Sequence, residues 1–306
     1  MTDLALQTWA EQNQRYLSVA LAAVRQRLEP GGSDATTADD LRVLAGEMPA
    51  PPAIEALAQG FDLSSFERDL LLLCAGVELD AGIAAAVARG GGPLPTFGLA
   101  LATLDAPHWS ALSPARPLRR WRLVDLLDSR TLTGSPLRID ERVLHYLTGG
   151  QYLDERLAGV VEVDDGSRSL APSHEQVADA IVAAWAAGAD MSALIQLVGA
   201  EPGTARTIAA GAAERLGASL AVLSVADIPA AAREREELMR LWEREAVLGS
   251  SVLLVDCLDL DGGPAEERAA LALLGHIASP VIAAIRRRLV APRRSSVAFA
   301  VAALDG

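Results

Sequence analysis

Apolar residues recur at helical spacing through LQTWAEQNQRYLSVALAAVRQRL (residues 6–28), which predicts one amphipathic helix closed by the breaker-rich EPGGSDATTADD (29–40). In LSSFERDLLLLCAGVEL (63–79), Ser64 and Glu67 form a capping-box pattern ahead of an apolar run, so a helix should begin there. A Gly/Pro segment, RGGGPLPTFG, follows. WRLVDLLDSRTLTGSPLRIDERVLHYLTGG (121–150) then alternates short apolar runs with turn residues and closes on a helix ended by Gly149 and Gly150. This first part, residues 1–165, reads as mainly helical.

Beyond residue 170 the rhythm changes. Ser173 and Gln176 suggest another cap, with Gly188 as the stop. Continuous apolar runs then alternate with helical segments: SALIQLVG, TARTIAAGAAERLG, ASLAVLSV, REREELMRLWEREAVLG, SSVLLVD, PAEERAALALLGHIA, SPVIAAI and SSVAFAVAAL. Unbroken apolar runs are what strands buried on both faces look like. Their alternation with helices predicts an α/β domain over 170–306 with a mostly parallel sheet covered by helices.

Composition narrows the function classes. No window of about 20 residues is free of polar interruption, as a membrane span requires, and the first residues lack a secretory pattern. A cytoplasmic protein without a membrane partner is therefore expected. Cys74 and Cys257 lie in separate apolar segments without metal or redox spacing and read as buried free thiols. The net charge of −13 argues against a nucleic-acid partner, because an acidic surface repels a polyanion. Two arginine-rich stretches, RPLRRWR (116–122) and RRRLVAPRRSS (286–296), run against that balance. His145 and His276 fall in helical apolar patterns and read as packed side chains, whereas His108 and His174 stand in turn-like contexts.

The candidate chemistry lies in GAEPGTARTIA (199–209), between the first strand and the next helix of the α/β part. That position favours phosphate, because free backbone N–H groups and the helix dipole both attract anions. Against the phosphate-loop pattern G-x-x-x-x-G-K-[ST] the best register is Ala200, Glu201, Pro202, Gly203, Thr204, Ala205, Arg206, Thr207. Both pattern glycines are alanine, and arginine stands for lysine in a chain that contains no lysine. Thr207 falls where a Mg2+-binding hydroxyl belongs, and VLLVD places Asp256 at a strand end, where such enzymes keep a metal-shell aspartate. The competing reading is an ordinary strand-to-helix turn with Thr204 as N-cap, Arg206 solvated or in a phosphate-free salt bridge, and Asp256 capping or hydrogen-bonding the loop.

Together, E-P-G-T-x-[basic]-T and the strand ending in Asp256 resemble the AAA+ ATPase module over residues 170–306. The resemblance implies a P-loop NTPase-like αβα sandwich and ATP or ADP with Mg2+ as cofactor, held by residues 200–207 with Thr207 and Asp256 on the metal. It also implies partners in the form of a homo-oligomer or a second AAA+ module, together with protein clients. Cys257 replaces the family's water-orienting glutamate, leaving the catalytic residue unknown, with Asp259 and Asp261 nearby in sequence. The sensor position falls near Arg286, and Arg293 and Arg294 stand where the family often carries arginine fingers. The small helical lid is missing after ALDG, as in a truncated piece or the first half of a longer protein. FDLSSFERDLLLLCAGVELD and LRIDERVLHYLTGG are similar to the helical, winged-helix-like domain preceding tandem AAA+ modules in bacterial ATPases of contractile injection systems. In that family a degenerate first module is followed by an intact one.

Three functions follow. The first is a degenerate module that binds nucleotide weakly or not at all and serves assembly or regulation of an ATP-driven remodelling machine. The second is an active hydrolase with an atypical loop. The third is a winged-helix module binding DNA or protein, with DNA met through Arg116, Arg119, Arg120 and Arg122.

Overall fold

The computed structural model describes residues 3–29, 35–128, 131–164, 166, 170–187, 193–258, 260, 263–290 and 294–301. The chain divides into two compact units, residues 1–151 and 152–306.

The first unit begins with α1 (Asp3–Arg27), α2 (Ala35–Gly46), α3 (Ala53–Gly60), α4 (Ser65–Leu79), α5 (Ala81–Arg89) and α6 (Phe97–Thr103). α2 starts inside the stretch read as a breaker. The short α7 (Pro117–Arg120) leads into an antiparallel pair, β1 (Val124–Leu126) and β2 (Leu137–Ile139), and α8 (Glu141–Leu147) closes the unit. The buried set alternates or repeats as the sequence pattern requires: Leu17, Leu21 and Val24 of α1, Leu70 and Leu73 of α4, and Leu137 and Ile139 of β2. Gly76 marks where α4 is crowded most tightly. A methyl there would meet Ile83 Cδ1 at 2.5 Å and Leu21 Cδ2 at 3.3 Å. The buried Asn13 ties three elements, donating to the Leu147 carbonyl at 2.9 Å and accepting from the Ala53 N–H at 2.8 Å. α8 ends as expected, with Gly149 in the left-handed region (φ +93°).

In the second unit, β3 (Val161–Asp164) and α9 (Pro172–Ala186) precede the alternating series. That series runs β4 (Leu194–Val198), α10 (Pro202–Arg215), β5 (Ser219–Ser224), α11 (Ala232–Gly249), β6 (Ser251–Asp256), α12 (Pro264–His276), β7 (Val281–Ile285) and β8 (Ser296–Ala300). Six strands form one sheet in the order β3-β5-β6-β7-β4-β8, all parallel except β3 on β5. Alternate residues of each central strand enter two cores. Ile195 and Leu197 pack with α9 and α10, while Leu253, Val255, Val281 and Ala283 pack with α11 and α12. The predicted strands and intervening helices all form.

The α9 cap differs from expectation. Ala171 is the N-cap and Pro172 the first helical residue, which leaves Ser173 inside the first turn. The proposed stop at Gly188 lies outside the described residues. Among the described residues no single helix is long and apolar enough to cross a membrane.

Candidate functional site

The chain leaves β4 at Val198 and starts α10 at Pro202, so only Gly199, Ala200 and Glu201 connect strand and helix. Gly199 is left-handed (φ +79°), and its N–H donates to the Ile285 carbonyl at 2.9 Å across the parallel ladder. Glu201, not Thr204, is the N-cap. Proline at the first helical position explains the early start, since its fixed φ suits a helix and its missing N–H is one the helix leaves unsatisfied anyway. The connection from β4 leads to the α9/α10 face, whereas the connections from β5 and β6 lead to the other face. The carboxyl ends of β4 and β7 thus flank the kind of switch point where α/β sheets bind ligands.

The eight residues of the phosphate pattern are split by that early start. Ala200 and Glu201 lie in the connection, and Pro202 to Thr207 belong to α10. The Ala205 N–H donates to the Glu201 carbonyl at 2.9 Å and the Thr207 hydroxyl to the Gly203 carbonyl at 2.8 Å, both within the first two turns. A helix leaves its first N–H groups without an internal acceptor; with proline at the first helical position, Glu201, Gly203 and Thr204 carry those that remain here. Nothing requires glycine at 203, where an added methyl meets no atom within 4 Å. Ala205 is buried and helical and does not need left-handed backbone.

Arg206 turns away from the connection. Its Nη2 donates to Glu162 Oε1 at 2.6 Å and its Nε to Asp164 Oδ2, both on β3. Burial alone would lower the guanidinium pKa, but hydrogen bonds and charge from Glu162 and Asp164 raise it above the ordinary arginine value. Glu162 and Asp164 played no part in the sequence reading, although the alternation in VVEVD carries the signal of an edge strand.

Asp256 ends β6 beside Ala284 of β7 and accepts the Leu258 N–H at 3.0 Å, closing its own turn. Cys257 donates its backbone N–H to the Ala284 carbonyl. Its thiol is pushed up to about 12, chiefly by burial and then by the Asp256 charge, and so stays protonated at neutral pH. Cys74 is likewise buried and pushed up to about 12 by burial, so both are buried free thiols. Arg286, which the resemblance put near a sensor position, donates from Nε to the Leu258 carbonyl at 2.6 Å. Arg294 is bound to the carbonyls of Ile277 and Ser279, which precede β7 at its amino end. Asp259, Asp261 and Arg293 lie outside the described residues.

A second unforeseen residue is Gln196, the one polar side chain of the LIQLV strand and fully buried. Its amide donates to the Leu289 carbonyl and accepts the Leu289 N–H, each at 2.9 Å, pinning the segment after β7. The residues that the phosphate pattern assigns to a Mg2+-nucleotide are each held by partners within the protein. Arg206 is ion-paired with β3, the Thr207 hydroxyl donates within its own helix, and Asp256 accepts the N–H of its own turn. Among the described residues no cluster of three or more His, Cys, Asp or Glu could hold a metal ion.

In the first unit, the capping box of α4 is complete: Ser64 Oγ accepts the Glu67 N–H at 3.2 Å and Glu67 accepts the Ser64 N–H at 2.9 Å. The buried Glu67 carboxylate also takes two hydrogen bonds from Arg116, at 3.2 and 3.0 Å. Burial would raise its pKa, but Arg116 and Ser64 together hold it below the ordinary glutamate value. Arg119 donates to the Leu112 carbonyl at 3.1 Å, and Arg120 lies 4.7 Å above the Trp121 ring. Three arginines proposed for DNA contact thus have structural partners, and α7 spans only four residues. Exposed apolar groups lie elsewhere in this unit. Trp109 is 72% exposed, with its ring edge on Phe97, and Leu127 and Leu132 flank the β1–β2 turn. His145 and His276 are exposed rather than packed, because both fall on the solvent side of their helices. His108 instead bonds Ser64 Oγ at 2.8 Å, and His174 is the buried histidine, in the first turn of α9.

No curated protein and no solved structure matches the chain. A family model described as a winged helix domain, variant, matches residues 7–161, just over half of the chain. The helices leading to the antiparallel β1–β2 pair agree with that description, and the chain belongs to the variant winged-helix domain family.

Proposed function

We propose that the chain joins its winged-helix domain to an α/β module descended from a P-loop ATPase of the AAA+ type. In this reading the module is a non-catalytic scaffold in the assembly or regulation of an ATP-driven remodelling machine in the cytoplasm. Its partners are further copies of the chain or a second, active AAA+ module, and protein clients. Support for descent comes from the strand-turn-helix at the sheet's switch point, followed two parallel strands later by Asp256 at the tip of β6.

One observation carries the conclusion that the module is silent: Arg206, the only cation of the phosphate motif, is bound to Glu162 and Asp164. A cation paired in this way has to lose two charge-assisted hydrogen bonds before it meets a phosphate. The buried, protonated Cys257 offers no base in place of glutamate. The winged-helix domain supplies the interaction surface, and exposed Trp109 favours protein over DNA there, since tryptophan is prominent among residues that anchor protein interfaces.

Titration of the chain with Mg2+-ATP and Mg2+-ADP, followed by calorimetry and thermal shift, tests this reading. A ligand specific for the folded state raises stability by RT ln(1 + [L]/Kd), so a silent module gives a flat response up to millimolar nucleotide. Saturable binding with turnover that Asp256→Ala abolishes would replace the scaffold by an active hydrolase.

A further inference from the structure

Glu162 and Asp164 stand two residues apart on β3, so their side chains share one face of the strand. They lie opposite Val222 and Leu220 of β5, residues of the core under α9 and α10, and they therefore face α10. Asp164 is nearly buried, with 4% of its side chain exposed, and Arg206 is three-quarters buried, whereas Glu162 is largely open. The two carboxylate oxygens meet the Nε and Nη2 of one guanidinium. Nε and Nη2 form the edge that arginine also offers to a phosphate, so the two carboxylates together occupy the donors a phosphate would use.

We propose that Glu162 and Asp164 form an autoinhibitory contact, an internal anion that occupies Arg206 in place of a polyphosphate. The inference rests on reading residues 199–207 as descended from a phosphate loop. A carboxylate pair tethered by the sheet competes at a high effective concentration, so a dissolved anion loses to it. Neutralising the pair frees the guanidinium and leaves amide groups able to donate to an incoming anion.

The test is calorimetric titration of the full chain with sodium pyrophosphate and, separately, Mg2+-ADP. It compares the native protein, the double variant Glu162→Gln with Asp164→Asn, and that double variant with Arg206→Ala added. The native chain is expected to give no saturable signal. The double variant should bind pyrophosphate at least tenfold more tightly than the native chain, and adding Arg206→Ala should abolish the gain. A folded double variant with a flat titration overturns the autoinhibitory contact and leaves the scaffold reading standing. Gained affinity that survives Arg206→Ala overturns it as well. Binding by the native chain as tight as that of the double variant overturns both. Should the double variant lose its cooperative melt, Glu162→Gln alone, at the exposed position, is expected to show a partial gain, and no gain there counts against the contact.

Discussion

The two units dispose of their arginines in the same way but at opposite depths. In the winged-helix unit, Arg116 reaches from a half-exposed position to the buried carboxylate of Glu67, which is already spanning a helix cap. In the α/β unit, fully buried Arg244 of α11 meets Asp154, itself 3% exposed and also bonded by Arg156 at 2.7 Å. The first contact orders a helix start near the surface, and the second holds charge inside the fold. The difference teaches where a lost partner is most costly: a buried charge deprived of its counter-ion keeps its desolvation penalty, whereas a half-exposed one regains water.

The sharpest way to break this comparison is Asp154→Ala. Removing one member of a buried pair costs about 3–5 kcal/mol, so urea unfolding of the variant should show a large fall in midpoint. A loss below about 1 kcal/mol would mean that Arg244 is satisfied without Asp154.

Glu67→Ala comes next. It removes the return half of the capping box and both acceptors of Arg116, for an expected loss of about 2 kcal/mol. The same carboxylate sharpens the comparison through pH. Its folded pKa lies below the unfolded value, and so does that of Asp154, where the hydrogen bonds of Arg156 and the charge of Arg244 outweigh burial. Their stabilisation is therefore complete above the ordinary carboxylate range and is lost as pH falls through it and below. Circular dichroism from pH 7 down to pH 2 should show acid unfolding, and Glu67→Gln should shrink the pH-dependent part of the stability.

The smallest effect is expected at the exposed Trp109. Trp109→Ala should change stability by less than about 0.5 kcal/mol, the usual range for a surface position, because most of the ring is already in water. A loss of several kcal/mol would make Trp109 a core residue of the unit instead of a surface for partners.

Much of the α/β unit was legible in the sequence, because strands buried on both faces leave unbroken apolar runs that helices separate with a different period. The capping box was legible for a similar reason, since Ser64 and Glu67 sit at a fixed offset with one geometric solution. β3 was missed: four residues with half their side chains charged look like a linker until β5 supplies the pairing. Ser173 misled because the helix starts at Pro172, two positions earlier than a serine cap at 173 would start it. The phosphate motif is the instructive case. Its residue types could be aligned, but Pro202 starts α10 inside the motif, and the destination of Arg206 depends on β3, which lies about 40 residues away in sequence.

Gln196 has a consequence of its own for how the protein breathes. The segment after β7 has no regular structure at Leu289, yet its N–H and carbonyl are both held by an amide fixed in the middle of the sheet. Amide exchange follows the opening of the bond that protects each proton, not the shape of the chain around it. The Leu289 proton should therefore exchange with the slow set of β4, while the exposed Arg287 and Arg288 beside it exchange freely.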